Sequence, residues 1–107
     1  MLDWMRIQGT LADDKKTMML AGLLSVCEAQ AAGHIICLLC YTLNHVWIDG
    51  DFTAWGIDRL ESAAKWSGQK GVFHAAANSA GFLDGMIVHD WCKYQAKYIK
   101  RRITRKK

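Results

Sequence analysis

The sequence predicts a mainly α-helical domain with a small β-hairpin, and residues 57–91 carry the observations behind that prediction. Apolar residues recur at helical spacing on both sides of a break at Ser67-Gly68. Asp84-Gly85, a dipeptide favoured in two-residue hairpin turns, then separates two short apolar runs. Helix, turn, helix and hairpin in this order are typical of a winged helix-turn-helix, whose second helix commonly enters a DNA groove.

Length and composition limit the class of protein. The chain has 107 residues, of which 51% are hydrophobic and 22% are charged, so we expect one folded domain and little disorder. No apolar run reaches the roughly 18 residues that a membrane-spanning helix needs. The first residues lack a basic region followed by an apolar stretch, so we see no export signal. A cytoplasmic protein without a membrane partner is therefore expected.

Charge is distributed unevenly along the chain. Residues 93–107 contain eight of the fourteen Lys and Arg residues and no acid. Residues 1–92 therefore contain six bases and ten acids, a net charge of −4, against +4 for the whole chain. We divide the domain into a body, residues 1–92, and a basic C-terminal helix or tail, residues 93–107. This asymmetry favours a polyanionic partner at the C-terminus, although a merely solubilising tail would have the same composition.

The first half of the chain predicts two helices. The first starts at about Ala12, and the second runs from near Ser25 to about His45. Ser25-x-x-Glu28 has the form of a capping box, which places the start of the second helix. The residues expected on the buried face of the first helix are Leu20, Leu23 and Leu24, with Met18 and Met19 near it. Those expected on the buried face of the second are Ala29, Ala32, Ile36, Leu39 and Leu43, widened by Ile35 and Leu38.

A loop at Asp49-Gly50-Asp51 and a short strand at 52–54 are predicted to lead into two shorter helices. Gly56 is expected to cap the third helix, and Trp66 to close it. The residues expected on its buried face are Ile57, Leu60, Ala63 and Ala64. The fourth helix is predicted over residues 69–80, with Gly81 as its stop. Its apolar stripe consists of Val72, Phe73, Ala76, Ala77 and Ala80.

The polar face of the fourth helix is the candidate for contact with DNA bases. Asn and Gln side chains can bond an adenine edge with two hydrogen bonds, and Lys and His can bond guanine acceptors or phosphate. The base-facing candidates are Gln69, Lys70, His74 and Asn78. Any helix on a protein surface also needs a polar outer face, so the same residues are compatible with a purely solvated role.

Phosphate contacts are expected from the basic tail. The predicted hairpin turn lacks Lys and Arg, and Asp84 would be repelled by a phosphate backbone. The phosphate candidates are Lys93, Lys97, Lys100, Arg101, Arg102 and Arg105. Neutralising several phosphates makes binding steeply dependent on salt.

Cysteine and histidine positions raise the question of metal binding. Cys37-x-x-Cys40 together with His89-x-x-Cys92 has the spacing of a zinc site. Each pair is also simply an i, i+3 pair on one helical face, so we expect structural thiols, no metal and no cofactor. The histidines are scattered and no catalytic motif is present, so no enzyme activity is expected. His34 is expected to be a structural residue of the second helix.

Several short motifs resemble one family. They are Asp49-Gly50-Asp51-Phe52, Trp66, Ala80-Gly81-Phe82-Leu83-Asp84, Val88-His89-Asp90-Trp91 with Tyr94, and the basic tail. In these motifs the chain resembles the N-terminal winged-helix domains of phage and prophage replication proteins of the replisome-organiser or initiator type. The resemblance covers most of the chain and is strongest over residues 49–98.

That resemblance implies a DNA-binding or assembly module that acts at replication origins in a bacterial host cell, without catalysis of its own. It also implies that Trp66, Gly81, Phe82, His89, Trp91 and Tyr94 define the fold rather than contact DNA. The partners expected are double-stranded DNA and either a second copy of the chain or another replication protein. The alternative is a phage-borne winged-helix module for protein–protein interaction or oligomerisation that does not recognise DNA sequence.

Overall fold

The computed structural model describes residues 15–46, 48–89 and 91. Over these residues the chain forms four α-helices and one two-stranded antiparallel hairpin. The helices are α1 Lys15–Leu24, α2 Glu28–His45, α3 Gly56–Ala63 and α4 Val72–Ala80, and the strands are β1 Leu83–Asp84 and β2 Ile87–Val88. The prediction of a mainly helical domain with a small hairpin is confirmed.

A short third segment extends the hairpin. Asp51 forms an isolated antiparallel bridge with Ile87. The Phe52 N–H donates to the Met86 carbonyl at 2.8 Å, and the Val88 N–H donates to the Gly50 carbonyl at 2.9 Å. The strand expected over 52–54 is therefore displaced, since residues 53–55 turn into α3. The loop before α3 is thus fixed to the hairpin that follows α4.

The core lies between α1, α2 and α4, with α3 packed against α2 and α4 and β1 packed against α4. Its largest fully buried apolar side chains are Phe52, Phe73, Leu20, Ile35, Leu38, Leu60 and Leu83. The apolar stripe predicted for α4 is confirmed, because Phe73, Ala76, Ala77 and Ala80 are buried and Val72 is half-buried. The opposite side of α4 is consequently directed away from the core.

The hairpin turn lies one residue later than the sequence indicated. Leu83 pairs with Val88 and Asp84 pairs with Ile87, so Gly85-Met86 forms the two-residue turn. Gly85 has a φ of +67°, a left-handed conformation that glycine adopts without the steric cost of a Cβ. Asp84 belongs to β1, where its side chain is exposed. The prediction of an Asp84-Gly85 turn was wrong because it placed the glycine second instead of first.

The capping box predicted at Ser25 was also wrong. Ser25 has a φ of +58° and ends α1, with its N–H donating to the Gly22 carbonyl and that of Val26 donating to the Ala21 carbonyl. These two bonds form the Schellman pattern of a helix C-terminus. The next helix therefore begins at Glu28 rather than at Ser25.

The buried faces of α1, α2 and α3 differ slightly from the faces that the sequence predicted. Leu23, Ala29, Ile36 and Ile57 were expected to be buried and are exposed. The buried side chains of α2 are Ala31, Ala32, His34, Ile35, Leu38, Thr42 and Leu43. Polar His34 and Thr42 in that set explain the error, because an apolar pattern cannot identify polar residues that are buried with hydrogen-bond partners.

Lys65 offers a direct test of the C-terminus of α3. Its φ is +62°, and the N–H groups of Lys65 and Trp66 donate to the Ser62 and Glu61 carbonyls in a second Schellman pattern. Because the left-handed conformation is costly for a residue with a Cβ, Lys65→Gly is expected to raise the free energy of unfolding by about 1 kcal/mol. Urea denaturation measures this change. Lys65→Ala retains the Cβ and is the control, and equal stabilisation by both variants would contradict the explanation.

Candidate nucleic-acid interface

The turn between α3 and α4 is built on Trp66. The Trp66 Nε1–H donates to the Gln69 carbonyl at 3.0 Å, which fixes the path of the chain across the break. A Cβ at Gly68 would lie 2.3 Å from Trp66 Cζ2. The indole ring therefore packs directly on the backbone of residue 68, which only a glycine allows. The break predicted at Ser67-Gly68 is thus explained by close packing on the indole ring.

Glu61 on α3 holds the N-terminus of α4. Its side chain is buried, with Oε1 accepting from the Gly71 N–H at 2.8 Å and Oε2 accepting from the His74 N–H at 3.0 Å. The first N–H groups of a helix have no partner within the helix and carry partial positive charge, so a carboxylate is well suited to them. The sequence prediction missed this residue, although an acid between Leu60 and Ala64 on a buried face was a usable signal.

His34 supports α4 from the other side. Its Nδ1–H donates to the Ala64 carbonyl at 2.8 Å, and its Nε2 lies 3.3 Å from Gln30 Nε2. The ring also meets Trp66 and Phe73 edge-on, with centroid distances of 5.6 and 5.9 Å. With both nitrogens engaged, His34 links α2 to the end of α3, in agreement with the structural role expected for it.

Two of the four base-facing candidates bind the hairpin turn. Asn78 Nδ2 donates to the Gly85 carbonyl at 3.1 Å, and Asn78 Oδ1 accepts from the Gly85 N–H at 2.6 Å. The His74 Nε2–H donates to the same carbonyl at 3.0 Å. A paired donor and acceptor is what an asparagine would offer to an adenine edge. Here that pair is occupied by the Gly85 peptide group, which fixes the hairpin on α4.

The remaining two candidates are open to solvent. Gln69 and Lys70 are exposed in the turn before α4, since the helix begins at Val72 rather than at residue 69 as predicted. Lys70 Nζ lies 3.2 Å from Asp58 Oδ1, but their side chains are 72% and 74% exposed, so this ion pair adds little stability. Ala75 and Ser79, one turn apart, are the exposed residues of α4.

Close packing and local hydrogen bonds explain the residue types found at positions 49–52. Gly50 has a φ of +65°, and a Cβ there would lie 2.7 Å from Trp91 Cγ, so the backbone and the buried indole touch directly. The Asp51 carboxylate accepts hydrogen bonds from the hydroxyl and the N–H of Thr53, which lower its pKa in that order of importance. Since folding lowers the pKa of Asp51, its hydrogen bonds stabilise the folded state above the ordinary pKa of an aspartate. This stabilisation is lost as pH falls through the lower pKa of the folded state.

The zinc spacing does not produce a metal centre within the described residues, where no group of three or more potential ligands comes together. His89 Nδ1 lies 2.8 Å from Asp84 Oδ2, so this nitrogen is engaged across the hairpin. Burial raises the pKa of Cys40, and the neighbouring Cys37 raises it further, which favours the protonated thiol over the metal-binding thiolate. Cys92 lies outside the described residues.

The phosphate candidates also lie outside the described residues. They are Lys93, Lys97, Lys100, Arg101, Arg102 and Arg105, and their contribution rests on the composition of residues 93–107 alone. The candidate interface is therefore the set of exposed residues Gln69 and Lys70, from the turn before α4, together with Ala75 and Ser79 of α4 itself. We call this set the α4 strip.

Comparisons with protein-family models, with curated proteins and with solved structures each found no match to this chain. Among helices of the described ranges, none is by itself long and apolar enough to cross a membrane. α1 and α2 meet that length and hydropathy requirement only when taken together, and a bend of 102° separates them.

Proposed function

We propose that the chain is a winged-helix module that binds double-stranded DNA, with the α4 strip facing the groove and the basic tail facing phosphates. The observation that carries this proposal is the order of its parts. Asp51 precedes two short helices joined by a tight turn. The hairpin that follows these helices returns to Asp51, which forms a bridge with Ile87 of the hairpin. This order is typical of winged helices.

The polar contacts support the proposal by making a rigid unit of α3, α4 and the hairpin. Glu61 joins α3 to α4, and Asn78 joins α4 to the turn at Gly85. Binding sites on rigid elements need less ordering when a partner arrives. Within this unit, Gln69 and Ser79 offer side-chain hydrogen bonds to base edges, and Ala75 permits close approach of the helix.

Affinity is expected to come mainly from charge. Of the four residues in the α4 strip, Lys70 is the cation, and the acid Asp58 lies beside it. Residues 97–107 contain seven Lys and Arg residues. Each phosphate neutralised contributes about 0.9 to the steepness of log affinity against log salt concentration. A protein that makes six phosphate contacts therefore loses about 10³-fold in affinity between 50 and 200 mM salt.

The test is a fluorescence titration of a labelled random duplex with the full chain at two salt concentrations. Binding should weaken steeply with salt, and replacing the seven cations of residues 97–107 with Gln should abolish most of both the affinity and the slope. Gln69→Ala and Ser79→Ala should instead reduce only the preference for a selected site over the random duplex. A full chain that leaves DNA unbound at low salt across micromolar concentrations would overturn the proposal.

A further inference from the structure

Two cysteines lie on the outer side of α2. Cys37 and Cys40 are three residues apart in the middle of the helix, where Cys40 is exposed, Cys37 is half-buried and both are free. The buried side of the same helical turns consists of Ile35 and Leu38, each 1% exposed. Unpaired cysteine is among the residue types most often buried in proteins, so core packing does not explain two accessible thiols on one helical face.

The helix fixes the spacing of the two thiols. Residues at i and i+3 lie on the same face, with Cβ atoms about 5–6 Å apart. A disulfide needs Cβ atoms about 3.5–4.5 Å apart, so a direct sulfur–sulfur bond would require the helix to distort. Ile35 and Leu38 belong to the core, and the Thr42 hydroxyl donates to the Leu38 carbonyl at 2.7 Å, so this part of α2 is held in place. The two sulfurs can therefore share one bridging atom more readily than they can bond to each other.

We propose that Cys37 and Cys40 form a dithiol site for trivalent arsenic that carries two exchangeable oxygen ligands, as in a monosubstituted arsenous acid. Each thiol gives its proton to one hydroxyl on arsenic, the hydroxyl leaves as water, and the sulfur takes its place. The products are a ring in which arsenic bridges the two sulfurs and two molecules of water. Arsenic stays trivalent and neither sulfur is oxidised, so the step needs no oxidant or reductant.

The surroundings of the two thiols favour this class of ligand over a metal ion. A structural zinc ion takes four protein ligands, and no third potential ligand joins the two thiols within residues 15–46 and 48–89 or at residue 91. Burial raises the pKa of Cys40, and the nearby Cys37 raises it further, so the protonated thiol is favoured. Metal binding has to displace that proton into solvent. The reaction with an arsenous acid instead uses the proton to form water.

Two attachment points make the site much stronger than a single thiol. Once one sulfur has bonded to arsenic, the second thiol already lies on the same helical face, so the second bond forms at a high effective concentration. Linkage of this kind raises overall affinity by about 10²–10⁴-fold. The site belongs to α2, which contributes no residue to the α4 strip, so it can be tested separately from the proposed function.

Native mass spectrometry and titration of free thiols test the site, with phenylarsine oxide as the probe and protein that has been reduced with a phosphine. The double variant Cys27→Ser/Cys92→Ser keeps only the two thiols of α2. It should bind one phenylarsenic group and lose both free thiols, and excess ethanedithiol should restore them. Adding Cys40→Ser to this variant should weaken binding about 100-fold or more.

Moving one thiol along the helix is the matched control. Cys40→Ser with Asn44→Cys, in the same double variant, keeps two thiols on α2 but places them about 10 Å apart along the axis. Asn44 is exposed, so helix content should not change, which circular dichroism checks. This protein should bind as weakly as the one with a single thiol. Binding as tight as that of the Cys27→Ser/Cys92→Ser protein would overturn the proposal, as would a double variant that does not bind the probe or a Cys40→Ser change without effect.

Discussion

Phe73→Ala is expected to lower the free energy of unfolding by about 3–5 kcal/mol, the usual cost of removing a buried phenyl ring from a core. Phe73 is fully buried on the apolar stripe of α4, and its ring meets both His34 and Trp66. A domain of this size has a total stability of about 5–15 kcal/mol, so the expected loss is a large fraction of the whole.

Urea denaturation followed by tryptophan fluorescence measures the change in Phe73→Ala. Ser79→Ala is the control, because Ser79 is exposed on the same helix and should change stability by no more than about 0.5 kcal/mol. A loss below about 1.5 kcal/mol in Phe73→Ala would mean that α4 is not seated on the core through this ring. The proposed DNA-binding face would then lose its support, because that face is defined by which side of α4 is buried.

The sequence was sufficient to predict the buried face and the C-terminal end of α4, although not its start, because its apolar residues form one clean stripe. Phe73, Ala77 and Ala80 recur at helical spacing, and glycines stand at both ends of the segment. Hydrophobic burial dominates the orientation of such a helix, so the periodic pattern alone identifies its inner face. The same logic found Leu60 and Ala63 on α3.

The parts that the sequence could not predict are those set by tertiary hydrogen bonds. Serine is typical of a helix start, yet Ser25 occupies the left-handed position at the end of α1. Asparagine is typical of a base-contacting residue, yet the amide of Asn78 is paired with the Gly85 peptide group. In both cases a polar side chain suits two environments about equally, and the packing of distant segments decides between them.

The same limit applies to the candidate site as a whole. Helical periodicity correctly placed His74 and Asn78 opposite the apolar stripe, but it carries no information on what lies over that side. The hairpin covers it, because β1 begins only two residues after Gly81 and turns back at Gly85. The exposed residues of α4 are consequently Ala75 and Ser79, whose short side chains offer fewer hydrogen-bonding groups than those of His74 and Asn78.

Glu61→Ala is expected to destabilise the fold by about 3 kcal/mol or more, because two hydrogen bonds to a charged group are lost and two N–H groups lose their acceptor. The carboxylate is buried and joins α3 to the first turn of α4 through Gly71 and His74. Glu61→Gln keeps one acceptor oxygen and should cost about half as much. Thermal and urea denaturation give the ranking of the three proteins.

Amide hydrogen exchange separates this specific role from general destabilisation. In Glu61→Gln, the Gly71 and His74 amides should exchange faster than other amides of α4, since they are the groups that donate to the carboxylate. Glu28→Gln is the matched control, because Glu28 is an exposed acid in the first turn of its own helix and should cost at most about 1 kcal/mol. Uniform acceleration across α4 would assign Glu61 to packing alone. Selective acceleration would identify it as the contact that sets the angle between the two helices, and hence the direction in which the α4 strip faces.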